Sequence, residues 1–429
     1  MIWKLSYRLI RAASAASFFV QRRSSRAGLF VLGGIVVSGA LGVDTNQTTA
    51  YQIFTLLCAL ALVAIATLPF LRVPVSAQRL LPRAVTAGEP FSYLVKLHNR
   101  GRTRLGDLVL IENLADPRPP FEVFRRLRFP TYRGYWRLAR DRQIGDVGET
   151  AVDDVAGGGE SGARFEALAL RRGVLHFEGL TVGRHDPLGL FRSFATVGER
   201  ENLIVLPRRY TLPPITLPGS RKYQVGGVSL AASVGDSEEF IGLRDYRPGD
   251  PLQRVHWKSY ARVGHPVVKE YQDEFFERHA LVLDTFGGRQ AGAAFEEAVS
   301  LAASFAYTLD TLECLLDLLF VGDSPCVYTT GRGQLQPLAL LEALAGAQLQ
   351  PDAGFAALRE ALLARRAAFT SAIVVLIGWD ARRQSLIRDL RAMGLPLLVM
   401  AVLGEVPADP PAWLRVLTPG RVQEGLASL

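Results

Sequence analysis

The chain has 429 residues, 49% of them hydrophobic, which is enough for two or three domains with their own cores and excludes a disordered composition. Its three cysteines, Cys58, Cys314 and Cys326, form no CxxC pair, which excludes a disulfide framework or a structural zinc site and fits a reducing compartment. The net charge of +8 is uneven, at +6 over residues 1–26, +9 over 72–223 and −6 over 224–429, so the excess sits near the start of the chain.

Residues 1–26 hold Lys4, Arg8 and Arg11 at helical spacing, with Trp3, Phe18 and Phe19 among the apolar positions. That pattern suits an amphipathic helix on an anionic inner leaflet, or a basic tail that only sets topology. Within residues 27–71, "AGLFVLGGIVVSGALGV" (27–43) and "YQIFTLLCALALVAIATLPFL" (51–71) carry no charge over 17 and 21 residues, and both are expected to span a bilayer as a helical hairpin. The connecting "DTNQTTA" has no Lys or Arg, whereas Arg22, Arg23 and Arg26 precede the pair and Arg72, Arg79 and Arg83 follow it. The positive-inside rule then places both termini in the cytoplasm and the connecting loop outside. A long basic stretch before the first span and the lack of an A-x-A site argue against a cleaved signal peptide.

From 72 to 223 the pattern turns short and alternating, in "PFSYLVKLHNRG", "GDLVLIENL", "RFEALALRRGVLHFEGLTVGRHDP" and "ENLIVLPRR". Strands at that spacing imply a β-sandwich, and the opening hairpins look immunoglobulin-like. The acidic, Gly-rich "IGDVGETAVDDVAGGGESGA" reads as a flexible loop. Its proximity to the second span assigns the basic charge of this domain to anionic membrane lipids and not to nucleic acid.

Residues 224–278 form a charged linking strap, and residues 279–429 alternate between apolar strands such as "HALVLDT" and "SAIVVLIGWD" and helices such as "FEEAVSLAASFAYTLD" and "ARRQSLIRDLRAMG". Such alternation implies a parallel sheet covered on both faces, a doubly wound α/β domain. Neither "GGVSLAASVGD" nor "DTFGGRQAG" has the Lys-Ser/Thr ending of a phosphate loop, so nucleotide hydrolysis would come from another chain.

The strap "FIGLRDYRPGDPLQRVHWKSYARVGHPVVKEY", the strand "HALVLDT" after it, and the upstream "RRGVLHFEGLTVGRHDPLGLF" and "ENLIVLPR" together resemble the bacterial family called domain of unknown function 58, from about residue 75 to about 400. The resemblance implies a membrane hairpin in a bacterial inner membrane, a β-rich domain and a von Willebrand factor A-like domain, with a MoxR-type AAA+ ATPase as partner. In such α/β domains a DxSxS motif and later oxygens hold a divalent cation. Here Asp284 is present, but Phe286 and Gly288 stand at the two Ser positions and Asp380 is displaced, so no cofactor is expected. Mg²⁺ at Asp284 is the alternative. Otherwise Asp284 is expected to cap a helix or accept backbone amides.

Within the strap, Arg244, Asp245, Arg247, Asp250, Arg254, Lys258 and Arg262 mix signs closely enough to pair, around a Pro248-Gly249-Asp250 turn. The segment is either a salt-bridged brace anchored by a buried Trp257 or an interface. The interface reading takes Arg244, Asp245, Tyr246, Arg247, Gly249 and Asp250 with His256, Trp257, Lys258 and Arg262 as the partner-binding residues. A catalytic reading would use His256 or His265 as a base oriented by Asp245 or Asp250, in a metal-dependent hydrolase. A metal set of His176, His185 and Asp186 with a strap histidine is a further option, although "RHDPLGLF" reads more simply as a turn. The expectation is a non-enzymatic, membrane-anchored adaptor or scaffold that binds a MoxR-type AAA+ ATPase and other envelope proteins, in envelope-related assembly or maturation.

Overall fold

The chain begins with three helices, the basic amphipathic α1 (Ile2–Arg23) and the apolar α2 (Arg26–Leu41) and α3 (Thr48–Thr67), each of which satisfies its backbone by internal helical bonds. The structure is a computed structural model that describes residues 2–41, 48–71, 73–213, 238–250, 252–273, 277–309, 314–322, 324–330, 337–351 and 354–427. The loop expected across the membrane lies mostly outside the described residues, as does the strap before Glu238. Among those described, one helical stretch, Thr49–Phe70, is long and apolar enough to cross a bilayer. The other expected span is shorter: α2 has 16 residues, about 24 Å against a hydrocarbon core of about 30 Å. Its first turn is committed to protein contact, since a side chain on buried Gly28 would collide with the Leu190 carbonyl.

The chain divides into two compact units, Met1–Arg208 and Arg209–Leu429. In the first, the strands are β1 (Val75–Leu80), β2 (Ala84–Thr86), β3 (Pro90–Asn99) and β4 (Leu108–Leu114). Two helices, α4 (Phe121–Phe124) and α5 (Tyr132–Arg142), intervene before β5 (Gly145–Val147), β6 (Thr150–Val152), β7 (Glu160–Ala169), β8 (Gly173–His185), β9 (Arg192–Val197) and β10 (Glu201–Leu206). One sheet has the order β1-β3-β7-β5 and the other β2-β10-β8-β4-β6, with β9 on β8. Period-two patterning aims Tyr93, Val95 and Leu97 of β3 and Phe165 of β7 into a core shared with Leu108, Leu110, Phe177, Leu180 and Leu203 of the second sheet. Tyr93 stacks on Phe165 at 5.3 Å between ring centres and meets Phe177 edge-on at 5.7 Å.

A buried ion pair ties these sheets together. The Arg79 guanidinium forks the Glu112 carboxylate at 3.0 and 2.9 Å, and the Tyr93 hydroxyl donates to the same carboxylate at 3.0 Å. Burial pushes the Tyr93 phenol well up, which keeps it a donor.

Two sequence expectations fail here. The Gly-rich acidic stretch is not one loop, because it carries β5, β6 and a Leu105–Val155 bridge. The β-rich region also contains the helical insertion α4–α5, whose Phe124 and Tyr135 pack on Tyr7 of α1, with Trp3 and Ile10 beside them.

"RHDPLGLF" is a turn with a purpose. Asp186, buried, accepts from the Phe191 amide at 2.6 Å and the Leu188 amide at 3.0 Å. The turn so fixed presents Leu190 and Phe191 to Ala61 and Ala64 of α3 and to Val31, Leu32 and Ile35 on α2. The Ser25 amide donates to the Leu190 carbonyl at 2.9 Å, so the β-sheets are docked onto the base of the helical pair.

The second unit begins, among described strands, with the hairpin β11 (Glu238–Asp245) and β12 (Val267–Asp273), between which lies α6 (Trp257–Val263). Then follow β13 (Glu277–Leu283), α7 (Gly292–Thr308), β14 (Cys314–Val321), β15 (Pro325–Thr330), α8 (Pro337–Gly346), α9 (Phe355–Arg365), β16 (Ser371–Leu376), α10 (Ala381–Ala392), β17 (Leu397–Val402), β18 (Leu414–Leu417) and α11 (Val422–Ala427). The sheet order is β15-β14-β13-β16-β17-β18, parallel except for β15. Ala280 and Val282 face α9 and α10, whereas Leu281 and Leu283 are equally buried on the face that α7 covers, which is why these strands read as unbroken apolar runs. Strand order reverses at β13, so a crevice opens at the carboxyl ends of β13 and β16.

Replacing Glu112 by Ala removes the bidentate, fully buried partner of Arg79 and leaves its guanidinium only the Glu199 carbonyl at 2.8 Å and the partly exposed Glu201 at 3.3 Å. The urea unfolding of the purified protein should show a loss of about 3–5 kcal/mol with little change in slope, and a loss below about 1 kcal/mol would contradict the assigned role.

Candidate functional site

Asp284 follows β13 at the point where strand order reverses, and its side chain is 0% exposed. One carboxylate oxygen accepts from Arg383 Nε at 2.6 Å and the Ile377 amide at 3.1 Å. The other accepts from the Phe286 amide at 3.0 Å and Arg383 Nη2 at 3.3 Å. The expectation that Asp284 holds backbone amides is met, and Arg383 is an addition that local spacing did not reveal. Burial pushes the Asp284 carboxyl up, against the downward pull of the guanidinium and the two amides.

Arg383 is positioned from α10. Asp380 caps that helix by accepting from the Arg383 amide at 2.9 Å, and its second oxygen takes Arg383 Nη1 at 2.7 Å. The guanidinium also donates to the Phe286 carbonyl and lies 5.3 Å from the centre of the Phe355 ring. Asp380, displaced from the motif position in the sequence, thus holds an arginine.

The residues around Asp284 do not fit a divalent cation. Mg²⁺ requires a near-octahedral oxygen cage. Phe286 is buried against Phe355 at 5.8 Å, Gly288 offers no side chain, and the Thr285 hydroxyl is spent on the Val321 carbonyl at 2.7 Å. A guanidinium occupies the face of the carboxylate that an ion would take.

In the strap, Gly249 has φ of +109°, a left-handed conformation open to glycine, and closes a turn that brings Asp250 back to Arg244. Arg244 Nη1 and Nη2 each donate to one Asp250 oxygen at 2.7 Å, and the Arg247 amide donates at 2.8 Å. The Arg244 bonds and the Arg247 amide hold the Asp250 carboxyl down at about 2. Asp245 lies elsewhere, exposed and 3.0 Å from His265 Nε2. Tyr246 is half-buried, with its amide on the Pro266 carbonyl at 3.0 Å. His256 precedes α6 and its Nδ1 is 2.7 Å from Ser259 Oγ.

A brace anchored by Trp257 requires a buried indole, but Trp257 is 63% exposed. Val255, Val267 and Val268 fill the small core of the strap instead. Trp257 meets Tyr260 edge-on at 6.0 Å, and the exposed Leu252 and Val263 extend this apolar surface, with Arg247, Lys258 and Arg262 also exposed.

The histidines do not converge. His265 and Asp245 are both largely exposed, unlike the desolvated setting that tunes a catalytic base. His176 Nδ1 lies 2.7 Å from Asn202, His185 accepts from Arg192 Nε at 3.0 Å, and Asp186 faces its own turn, so that metal set is not assembled. Among the described residues no group of three or more His, Cys, Asp or Glu is placed to hold a metal.

Residues 242–408 match the model of the family described as protein of unknown function DUF58. The uncharacterized protein YeaD of Bacillus subtilis (strain 168) is 28% identical over 149 residues, and the match covers 34% of this chain and 35% of that one. Solved structures with local likeness include a PapD-like domain of human CEP192, at 13% identity over 30% of this chain and 88% of that chain, with a TM-score of 0.16. The C. elegans MSP family member WR4 is 8% identical over 31% and 99% of the two chains, with a TM-score of 0.16. Trypsin-activated alpha-2-macroglobulin from Escherichia coli is 11% identical over 68% and 18%, with a TM-score of 0.20. At these scores the likenesses carry no inference about fold.

Because its folded pKa is depressed, Asp250 contributes stability above its ordinary value of 3.8 that is lost as pH falls toward 2. A carboxyl NMR titration should find a midpoint near 2 that Arg244→Ala returns toward the ordinary value; an unchanged midpoint in that variant would refute the pairing.

Proposed function

We propose, for a chain whose residues 242–408 belong to the DUF58 family, the role of a membrane-anchored adaptor that binds a partner protein through its strap. One observation carries this reading: the exposed Trp257–Tyr260 pair on α6, with exposed Leu252, Val263, Arg247, Lys258 and Arg262 near in sequence. Large exposed aromatics with arginine are the residues that dominate interfaces. The Arg244–Asp250 fork pre-orders the turn, which lowers the entropy lost when a partner docks.

The family resemblance supplies the partner, a MoxR-type AAA+ ATPase, with other envelope proteins as its clients and envelope-related assembly or maturation as the setting. In this reading the β-sheets of the first unit are an immunoglobulin-like domain docked on the membrane helices. The second unit is a von Willebrand A-like domain that uses Arg383 where relatives of that fold use a cation, and so works without one. Both termini face the cytoplasm at a bacterial inner membrane, and the partners are protein and lipid, without nucleic acid. Adaptor function also fits strap histidines whose ring nitrogens meet Ser259 and an exposed Asp245 in place of a desolvated catalytic partner.

The test is capture from lysate by the full chain in detergent, with and without ATP, against the double variant Trp257→Ala, Tyr260→Ala. Recovery of an AAA+ ATPase that the variant loses by tenfold or so is the expected result, and equal capture by both proteins would overturn the interface.

A further inference from the structure

The insertion between β4 and β5 is not needed to close the sheets, yet it is one of the most basic parts of the chain. Between Arg118 and Arg142 there are eight arginines against two acids, Glu122 and Asp141. Arg118 is held by Asp116 and Asp141 by Arg171, so the acids do little to neutralise the rest. Arg125, Arg126, Arg128, Arg133, Arg137 and Arg140 are all exposed. Interleaved with them are three exposed aromatics: Phe129 at 65%, Tyr132 at 55% and Trp136 at 40%. Tyr132 and Trp136 stand one helical turn apart and touch edge to face at 6.1 Å.

Exposed aromatic rings cost free energy in water, and so does a concentration of like charge. Both costs are relieved at the headgroup level of an anionic bilayer, where aromatic rings take up the interface and each guanidinium gains an anionic partner. The fold packs the insertion against the helix that leads into the apolar pair. Its inner face, Phe124 and Tyr135, is packed on Tyr7 of α1, whose hydroxyl donates to the Pro119 carbonyl at 3.1 Å. α1 ends at Arg23 and α2 begins at Arg26, so the helix that carries the insertion runs directly into the membrane-associated pair. On α1 itself Ile2, Leu5 and Leu9 form an exposed apolar stripe flanked by exposed Lys4, Arg8 and Arg11.

We propose that α4–α5 is an interfacial clamp for anionic phospholipid headgroups, locked onto α1 and bound through Arg133, Arg137, Arg140, Phe129 and Trp136. It rests on the membrane-anchor reading above but adds a second, charge-selective attachment that the transmembrane helix does not provide. Its effect is to hold the first unit flat against the leaflet instead of letting it swing from α3.

Hydrogen–deuterium exchange on the full chain in nanodiscs tests it. In phosphatidylglycerol discs, amides of 121–142 should exchange about fivefold or more slowly than in phosphatidylcholine discs, following the roughly fivefold partition gained per arginine at an anionic surface. The difference should vanish in high salt, in the variant Arg133→Gln, Arg137→Gln, Arg140→Gln, and be reduced in Trp136→Ser, all at solvent-facing positions. Exchange in α3 reports anchoring separately and should be slow in both lipids. Equal protection of 121–142 in the two lipids, with α3 protected, would overturn the clamp alone. Protection by an added RNA oligonucleotide in neutral discs, without a response to phosphatidylglycerol, would overturn it in favour of nucleic acid.

Discussion

A carboxylate buried at the end of a central strand must be given a counter-charge, and the second unit is organised around how Asp284 obtains one. The charge comes from within the chain, as the Arg383 guanidinium, which Asp380 steers from the first turn of α10. Asp284 leads out of β13, Ile377 follows β16 and Phe286 begins the next loop, so this one pair joins the loops at the crevice where strand order reverses. Removing Arg383 would leave the buried Asp284 charge two backbone amides, and removing Asp284 would leave Arg383 the half-exposed Asp380 and the Phe286 carbonyl, so the loss of either is costly. Every described contact of the Asp284 carboxylate is made within the chain.

The first unit solves a different problem, that of fixing a β-rich body to N-terminal helices, of which one described stretch is long and apolar enough to cross a bilayer. Asp186 shapes a turn that offers Leu190 and Phe191 to α2 and α3, and α1 runs back to pack on the insertion between β4 and β5. The sheets are thus attached at two places to the helical segment. Arg79 and Glu112 fix the strands against each other with a buried fork, as Asp284 and Arg383 do in the second unit. Each unit thus contains a buried, forked guanidinium–carboxylate pair, whose net gain in stability is expected to be small while the loss of one partner is costly.

Much of this was legible in the chain. Strands of the second unit are buried on both faces, so "LVL" and "AIVVL" read as unbroken apolar runs and the β/α order followed. The turn in "RHDPLGLF" was legible from its Asp, Pro and Gly, but its partners lie more than a hundred residues away in the helices and left no local trace. The same holds for α4–α5: apolar residues are sparse there, and what makes Phe124 and Tyr135 a core is Tyr7, far upstream. Arg383 had a partial signal, an arginine three positions after a capping aspartate, although its second partner lies 99 residues back. Trp257 was open to two readings, the buried anchor of a brace or part of a displayed surface; the structure leaves it exposed, and three valines fill the small core of the strap.

The account stands most directly on the Asp284–Arg383 pair, and a double-mutant cycle in urea unfolding measures it. Asp284→Asn and Arg383→Met should each cost about 3–5 kcal/mol, with the double variant losing far less than the sum because neither charge is then stranded. Additive losses would contradict the account, since they would mean that each side chain answers to some other partner.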